Sequence, residues 1–451
     1  MAMSSVLEVC ETDGTVEWST CKTEETFLED VIRPFILFNF DRIKELLDKE
    51  KSERISQSPL WISLLNVIHN MSLAEKNYLA LTFLEQRWFG RRESGKGIYT
   101  TAVTELQRIE QRRSPNISQK ANQNALEYLI IHLAEQMGAY VRAKQEMMDY
   151  YVKLCGIGLQ KIETDFSDML NILKAIISRY SKSFHHPILI PLRNSWNYET
   201  DIMASLLEAR IQMSNWQFLP SLLKLHDAHT KLEAWGVPFK TKEPKKKLSA
   251  LITIKNNSIP PLISWLVKFF LTLLSKFSFY FHETLSKQAL PGDMKMYLSN
   301  LSVDYYSKVV AFQKKTDASY IILVFDTHGT DYTGHGYHFP VGYREPPKGL
   351  DSFPAVFSYP RDKPIHLWPN VIMLLSEPAS GSHGERPVYF YDEVQQITYF
   401  ITKVDVRMSL LLVFESKKLE KDTTISNFLQ DMSSCLRGTR LLSSLKQGSK
   451  N

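Results

Sequence analysis

The sequence predicts an α+β protein, with an N-terminal multi-helical bundle followed by a small antiparallel α/β domain. Three observations point there. Up to Asp317, apolar residues recur at the three- and four-residue spacing of amphipathic helices. From Ala318 on they form short β-branched and aromatic runs split by Gly, Pro and His. Finally, 44% of the 451 residues are hydrophobic, including 24 Phe, 20 Tyr and 8 Trp, which is material for a large core rather than a disordered chain.

Residues 1–25 read as a flexible acidic leader. Thr26 and Glu29 have capping-box spacing, so a helix is expected from Phe27 toward Lys51, kinked at Pro34. Ser58-Pro59 opens a second helix carrying Trp61, Leu64, Leu65 and Ile68. Ser72 and Glu75 are expected to cap a third, ending near Phe89. Gly90 to Gly97 reads as a loop, and a helix follows over about 101–113. The clearest helix is expected over 118–154, with Leu126, Leu129, Leu133, Met137, Tyr140, Met147 and Tyr151 in one stripe and Gly156 and Gly158 as its stop. Helices at 164–181, 198–213 and 216–235 follow, the last closed by Gly236 and Pro238. These elements place the bundle over 26–239 and a basic linker over 240–258.

Residues 259–316 are expected to add helices at 259–290 and 293–315, packing on the bundle or bridging to the C-terminal domain. Ile259 to Phe281 is long enough to cross a bilayer. Ser264, Lys268, Thr272 and Lys276 recur every four residues, with Ser275 beside them. Two lysines in mid-bilayer are costly, so a mostly buried helix with one wet stripe is expected instead.

The α/β domain is expected over 317–440, with a flexible tail over 441–451. Strands are predicted at 320–325, 353–359, 387–391, 396–404 and 408–415. A Gly/His/Pro loop runs from Asp326 to Leu350. Lys363 to Glu377 admits strand or helix; the spacing of Leu367, Val371, Leu374 and Leu375 favours helix. Thr424 to Leu436 closes the domain with a helix bearing Ile425, Phe428, Leu429 and Met432. The order β-β-α-β-β-β-α resembles longin, roadblock and profilin-like domains. These are adaptor folds that often pair with one another or sit beside small GTPases.

Composition narrows the function. A net charge of +5 does not indicate a nucleic-acid partner. Cys10, Cys21, Cys155 and Cys435 form no C-x-x-C pair, which suits a reducing compartment and neither a disulfide scaffold nor a zinc finger. Met1 to Thr20 lacks a basic start and an apolar stretch, so no secretory signal is expected.

No catalytic motif stands up to its context. Gly90, Gly95 and Lys96 have P-loop spacing, but Gly97 stands where Ser or Thr must hold magnesium, and a helix rather than a strand precedes them. His328, His335 and His338 lie near Asp326 and Asp331 and could ligate zinc or iron for a metal-dependent hydrolase. Gly329, Gly334, Gly336 and Pro340 make that loop costly to order around a metal. His185-His186 before Pro187 reads as a helix terminus, and His226 and His229 lack obvious further ligands. Cys155 is expected at a helix C-terminus, where the dipole raises a thiol pKa. Lys245, Lys246 and Lys247 could touch lipid or an acidic partner, and otherwise form a solvated linker. No enzyme activity and no cofactor are expected.

Three runs carry a resemblance: Trp61-Ile62-Ser63-Leu64-Leu65-Asn66, Tyr320 through Gly329, and Leu411 through Lys418. Over essentially the whole chain the sequence resembles the KICSTOR complex subunit family, a small vertebrate family with no active-site residues to transfer. The resemblance implies a non-enzymatic scaffold subunit. Its companions would be kaptin, an integrin-alpha FG-GAP repeat protein and the seizure-threshold protein. It also implies a cytoplasmic protein peripheral on lysosomes through these partners. There it would help recruit the GATOR complex, act indirectly on Rag GTPases and suppress mTOR complex 1 under amino-acid or glucose starvation. A longin-type module binding a small GTPase directly is the remaining alternative.

Overall fold

Proline sets the start of several helices. Pro59, Pro261 and Pro291 each occupy the first turn of one, where a missing N–H costs nothing and φ is already helical. The computed structural model describes residues 22–53, 58–84, 95–112, 124–160, 166–236, 259–330, 332, 334, 347–376 and 387–446. The chain packs as two units that interleave along the sequence. One comprises Met1–Asn77, Arg91–Gln145 and Arg179–Trp196; the other comprises Tyr78–Gly90, Glu146–Ser178 and Asn197–Asn451.

The first unit is helical. It is built from α1 (Lys22–Ile32), α2 (Phe40–Glu53), most of α3 (Pro59–Leu79), α4 (Gly95–Glu110) and the first part of α5 (Asn124–Gln160). Leu28, Val31 and Ile32 of α1, Leu47 of α2, Leu64 and Ile68 of α3 and Leu106 of α4 are buried. Several sequence expectations need correction here. α1 begins at Lys22, so Thr26 lies inside it and its hydroxyl donates to the Lys22 carbonyl at 2.7 Å instead of capping. Pro34 does more than kink: a 3-10 turn, Arg33–Phe35, separates α1 from α2. Ser72 and Glu75 cap nothing, because α3 runs unbroken past them. The Ser72 hydroxyl donates to the His69 carbonyl, and Glu75 is buried, accepting from Tyr99 at 2.7 Å and facing Lys144 at 3.6 Å. α4 starts at Gly95, inside the expected loop.

The second unit joins helices to a sheet. α6 (Phe166–Tyr180), the remainder of α7 (Ile190–Ser214), α8 (Phe218–Ala234) and α9 (Pro261–Tyr280) precede it in sequence. Gly156 and Gly158 do not end α5, which continues to Gln160. Gly158 serves close approach instead: a Cβ there would lie 2.5 Å from the Ser443 backbone nitrogen. The helix expected over 259–290 breaks at Phe281 into α9 and α10 (His282–Gln288). The next one divides into α11 (Pro291–Ser299) and α12 (Tyr305–Thr316), with Asp304 capping α12 by accepting from the Ser307 N–H at 2.9 Å. Asp317 then turns the chain with a left-handed φ of 53°.

Five antiparallel strands follow: β1 (Tyr320–Phe325), β2 (Ala355–Tyr359), β3 (Val388–Asp392), β4 (Ile397–Asp405) and β5 (Met408–Phe414). Their order across the sheet is β2-β1-β5-β4-β3. β1 is buried at every position, as a strand covered on both faces must be. One face carries Ile322, Val324, Tyr399, Leu411 and Val413 against Leu367, Trp368, Val371 and Leu374. This settles residues 363–377: a 3-10 turn (Ile365–Leu367) leads into α13 (Trp368–Ser376). The opposite face meets helices. Phe325 packs on Trp216, and Phe357 packs on Phe279 of α9 and Tyr306 of α12. α14 (Thr423–Leu436) packs on β4 and stacks Phe428 on Phe312 at 3.8 Å. The expected tail is ordered further than 441: α15 (Thr439–Ser444) buries Leu442, and the Leu441 carbonyl accepts from the Trp265 indole at 3.0 Å.

Candidate functional site

The chemistry within the second unit converges where β4 turns into β5. Asp405 ends β4 and is buried, so its carboxylate must be satisfied by protein groups. It is. Oδ2 accepts from the Lys276 ammonium, from the Ser214 hydroxyl at 2.9 Å and from the Tyr280 hydroxyl at 3.2 Å. Oδ1 accepts from the Val406 N–H at 3.0 Å. Lys276 and Tyr280 lie one turn apart on α9, which aims both at one point. Ser214 is the last residue of α7.

Arg210 lies one turn before Ser214 and is also buried. Its guanidinium stacks 3.9 Å from the Phe166 ring and donates to the Arg437 carbonyl. Gly438 makes room: a Cβ there would sit 2.8 Å from Arg210 Nη1, and its φ is +70°.

Two buried cations therefore share one buried carboxylate. Burial works to raise the Asp405 pKa, but Lys276 and Arg210 outweigh it and hold the carboxyl below its ordinary value. Lys276 fares worse. Burial and repulsion from Arg210 overcome the pull of Asp405 and bring its pKa down to about 8. Burial, and then Asp405, push Tyr280 well above its ordinary value. This arrangement is a clamp. Both carboxylate oxygens accept hydrogen bonds, and Lys276 and Tyr280 are both bonded to Oδ2. Next to it lies a cleft of about 160 Å³, with Arg210, Ser214, Asn215 and Arg407 among its lining residues. Arg407 donates to the His328 carbonyl.

Lys276 overturns part of the expected wet stripe. Lys268 is exposed and Ser264 and Thr272 are half-buried, whereas Ser275 and Lys276 are buried. α9 is long and apolar enough to cross a membrane, but most of its most apolar stretch is buried within the fold. Asp405, Arg210 and Ser214 carried no sequence signal. Lys276 carried a weak one: Leu273, Phe277, Phe279 and Tyr280 surround it, leaving little polar face for a solvated ammonium.

The residues singled out from the sequence are scattered. His328 is exposed, and its Nδ1 lies 2.6 Å from Asp326. Asp331, His335 and His338 lie outside the described residues, as do Lys245, Lys246, Lys247, Gly90 to Ser94, Cys10 and Cys21. Among the described residues, no three His, Cys, Asp or Glu side chains converge as metal ligands. His186 caps a 3-10 turn (Pro187–Leu189) through its ring nitrogen. Burial, with His132 and His185 nearby, lowers its pKa. His226 is exposed, while His229 packs on Phe270. Cys155 lies within α5, and it is burial that raises its thiol pKa.

Comparison with known proteins places the chain. A family described as "KICSTOR complex C12orf66 like" matches residues 17–450. KICSTOR subunit 2 of Xenopus laevis is 40% identical over 421 residues, 92% of this chain and 94% of that protein. KICSTOR subunit 2 of Danio rerio is 39% identical over 453 residues, 98% of this chain and 100% of that protein. Likeness of this strength over nearly the whole length shows that the chain belongs to the KICSTOR subunit 2 family.

Proposed function

We propose that this protein is a non-enzymatic scaffold subunit of the KICSTOR complex. The observation that carries this reading is the end-to-end likeness to proteins named as subunits of that complex. The internal saturation of Asp405 supports it, since both oxygens of that carboxylate are committed to holding the fold together. In this reading the protein holds kaptin, the integrin-alpha FG-GAP repeat protein and the seizure-threshold protein together. Each partner's effective concentration rises for the others. The assembly sits on lysosomes through those partners, helps recruit the GATOR complex, and so restrains mTOR complex 1 when amino acids or glucose are scarce. Purifying the full chain from nutrient-starved cells, with cross-linking, tests this. The expected result is stoichiometric recovery of the other subunits, and recovery of none of them rejects the reading.

A finer reading concerns the sheet. The succession β1-β2-α13-β3-β4-β5-α14 supports a longin- or roadblock-like domain, and with it direct contact to a small GTPase. The test must use the full chain. A fragment beginning at residue 300 would lose α9 and bare the Phe357 side of the sheet. Binding of loaded or unloaded Rag proteins to the purified full chain, with no other subunit present, is the expected result. Its absence leaves Rag contact to the partners.

A further inference from the structure

The clamp beside the cleft is unbalanced. Arg210, Lys276 and Asp405 are all buried, which sets two positive charges against one negative. An uncompensated buried charge is costly, and a counter-charge arriving from outside would lower that cost. Asp405 also lines the cleft, but its two oxygens are already engaged by Lys276, Ser214, Tyr280 and the Val406 N–H. Lys276 balances the Asp405 carboxylate as its ion-pair partner, so among the described residues the net positive charge at the cleft comes from Arg210 and Arg407. A guanidinium offers five N–H donors, and among the described residues Arg210 is seen to donate only to the Arg437 carbonyl. Asn215 adds an amide donor to the lining. A volume of about 160 Å³ lies below the roughly 300–1,000 Å³ of cofactor and drug-sized pockets, so only one small group fits.

We infer that this cleft receives a single oxyanionic group, a carboxylate or a phosphate, held between Arg210 and Arg407. The planar fork of a guanidinium matches such a group with two parallel hydrogen bonds. The arriving charge balances the second buried cation. It also offsets the repulsion from Arg210 that helps lower the Lys276 pKa. The inference is independent of which complex the protein joins.

Calorimetric titration of the full chain at fixed ionic strength tests it, with inorganic phosphate and an end-capped hexaglutamate peptide as probes. The expected result is saturable one-to-one uptake, weakened at least about tenfold in Arg407→Ala, the loss of one charge-assisted contact. Arg210→Lys keeps the charge and removes the fork, and it should weaken uptake as well; it serves as the second variant should Arg407→Ala fold poorly. Uptake of the peptide assigns the group to an acidic protein segment, and uptake of phosphate alone assigns it to a free oxyanion; either upholds the inference. No saturable uptake of either probe overturns it, as does wild-type uptake by both variants.

Discussion

The two faces of the sheet are closed in different ways. One is covered by α13, a segment lying between β2 and β3 in the chain, and its contacts are apolar: Leu367, Trp368, Val371 and Leu374 on Ile322, Tyr399, Leu411 and Val413. The other is covered by α9, α12 and α14 and by Trp216, groups drawn from more than 200 residues of sequence, and a buried charge cluster sits at the end of its β4–β5 turn. A face closed locally needs only oil. A face closed by distant elements has many ways to dock, and a buried ionic clamp accepts one of them, because a displaced cation would be left unpaired in a dry site. In this protein the clamp ties the end of α7 and one face of α9 to the end of β4.

The largest test of that contrast is Asp405→Asn. It leaves Lys276 and Arg210 buried without a counter-charge and should cost about 4 kcal/mol, read by urea denaturation. Leu374→Ala, on the oily face, should cost about 3 kcal/mol through the cavity it leaves, with no change in the pH profile. Gly158→Ala drives a methyl group into the α15 backbone and should cost about 2 kcal/mol, whereas Gly156→Ala, with open space around it, should stabilise α5 by about 0.5–1 kcal/mol. The last effect is in alkali. Lys276 loses its proton near pH 8 when folded and near its ordinary value when unfolded. Between about pH 8 and 10 the unfolded state therefore binds more protons at this site, and the Lys276 contribution to stability should rise with pH at no more than about 1.4 kcal/mol per unit, offset in part by Cys155 and Cys435, whose thiols burial pushes up and which work the other way. Above that window the raised Tyr280 works in the opposite direction. Lys276→Met should flatten the rise, and an unchanged slope in that variant would show that the titrating group lies elsewhere.

The strands were legible to within two residues because period-two and all-apolar runs are local signals, bounded by Gly and Pro. α13 was legible from the spacing of Leu367, Val371 and Leu374. Helix ends were less so. Gly158 looks like a stop, yet here it is a contact, and the difference lies in α15, nearly 300 residues away. Ser72 and Glu75 spell a cap, but the Tyr99 hydroxyl and Lys144 give Glu75 a buried role inside a continuous helix. The candidate site was the least legible part, since Asp405 reads as an ordinary turn residue and Arg210 as an ordinary helical one.

The sequence by itself determined the α+β class, the switch at Asp317, the five strands and the family, because each rests on short-range periodicity or on end-to-end likeness; for residues 363–377 it favoured a helix without excluding a strand. Only the tertiary structure decided that Lys276 is buried, that it shares Asp405 with Arg210, and that a basic cleft opens beside them. Charge balance in a dry interior is a sum over groups brought together from distant parts of the chain, and no local pattern records that sum.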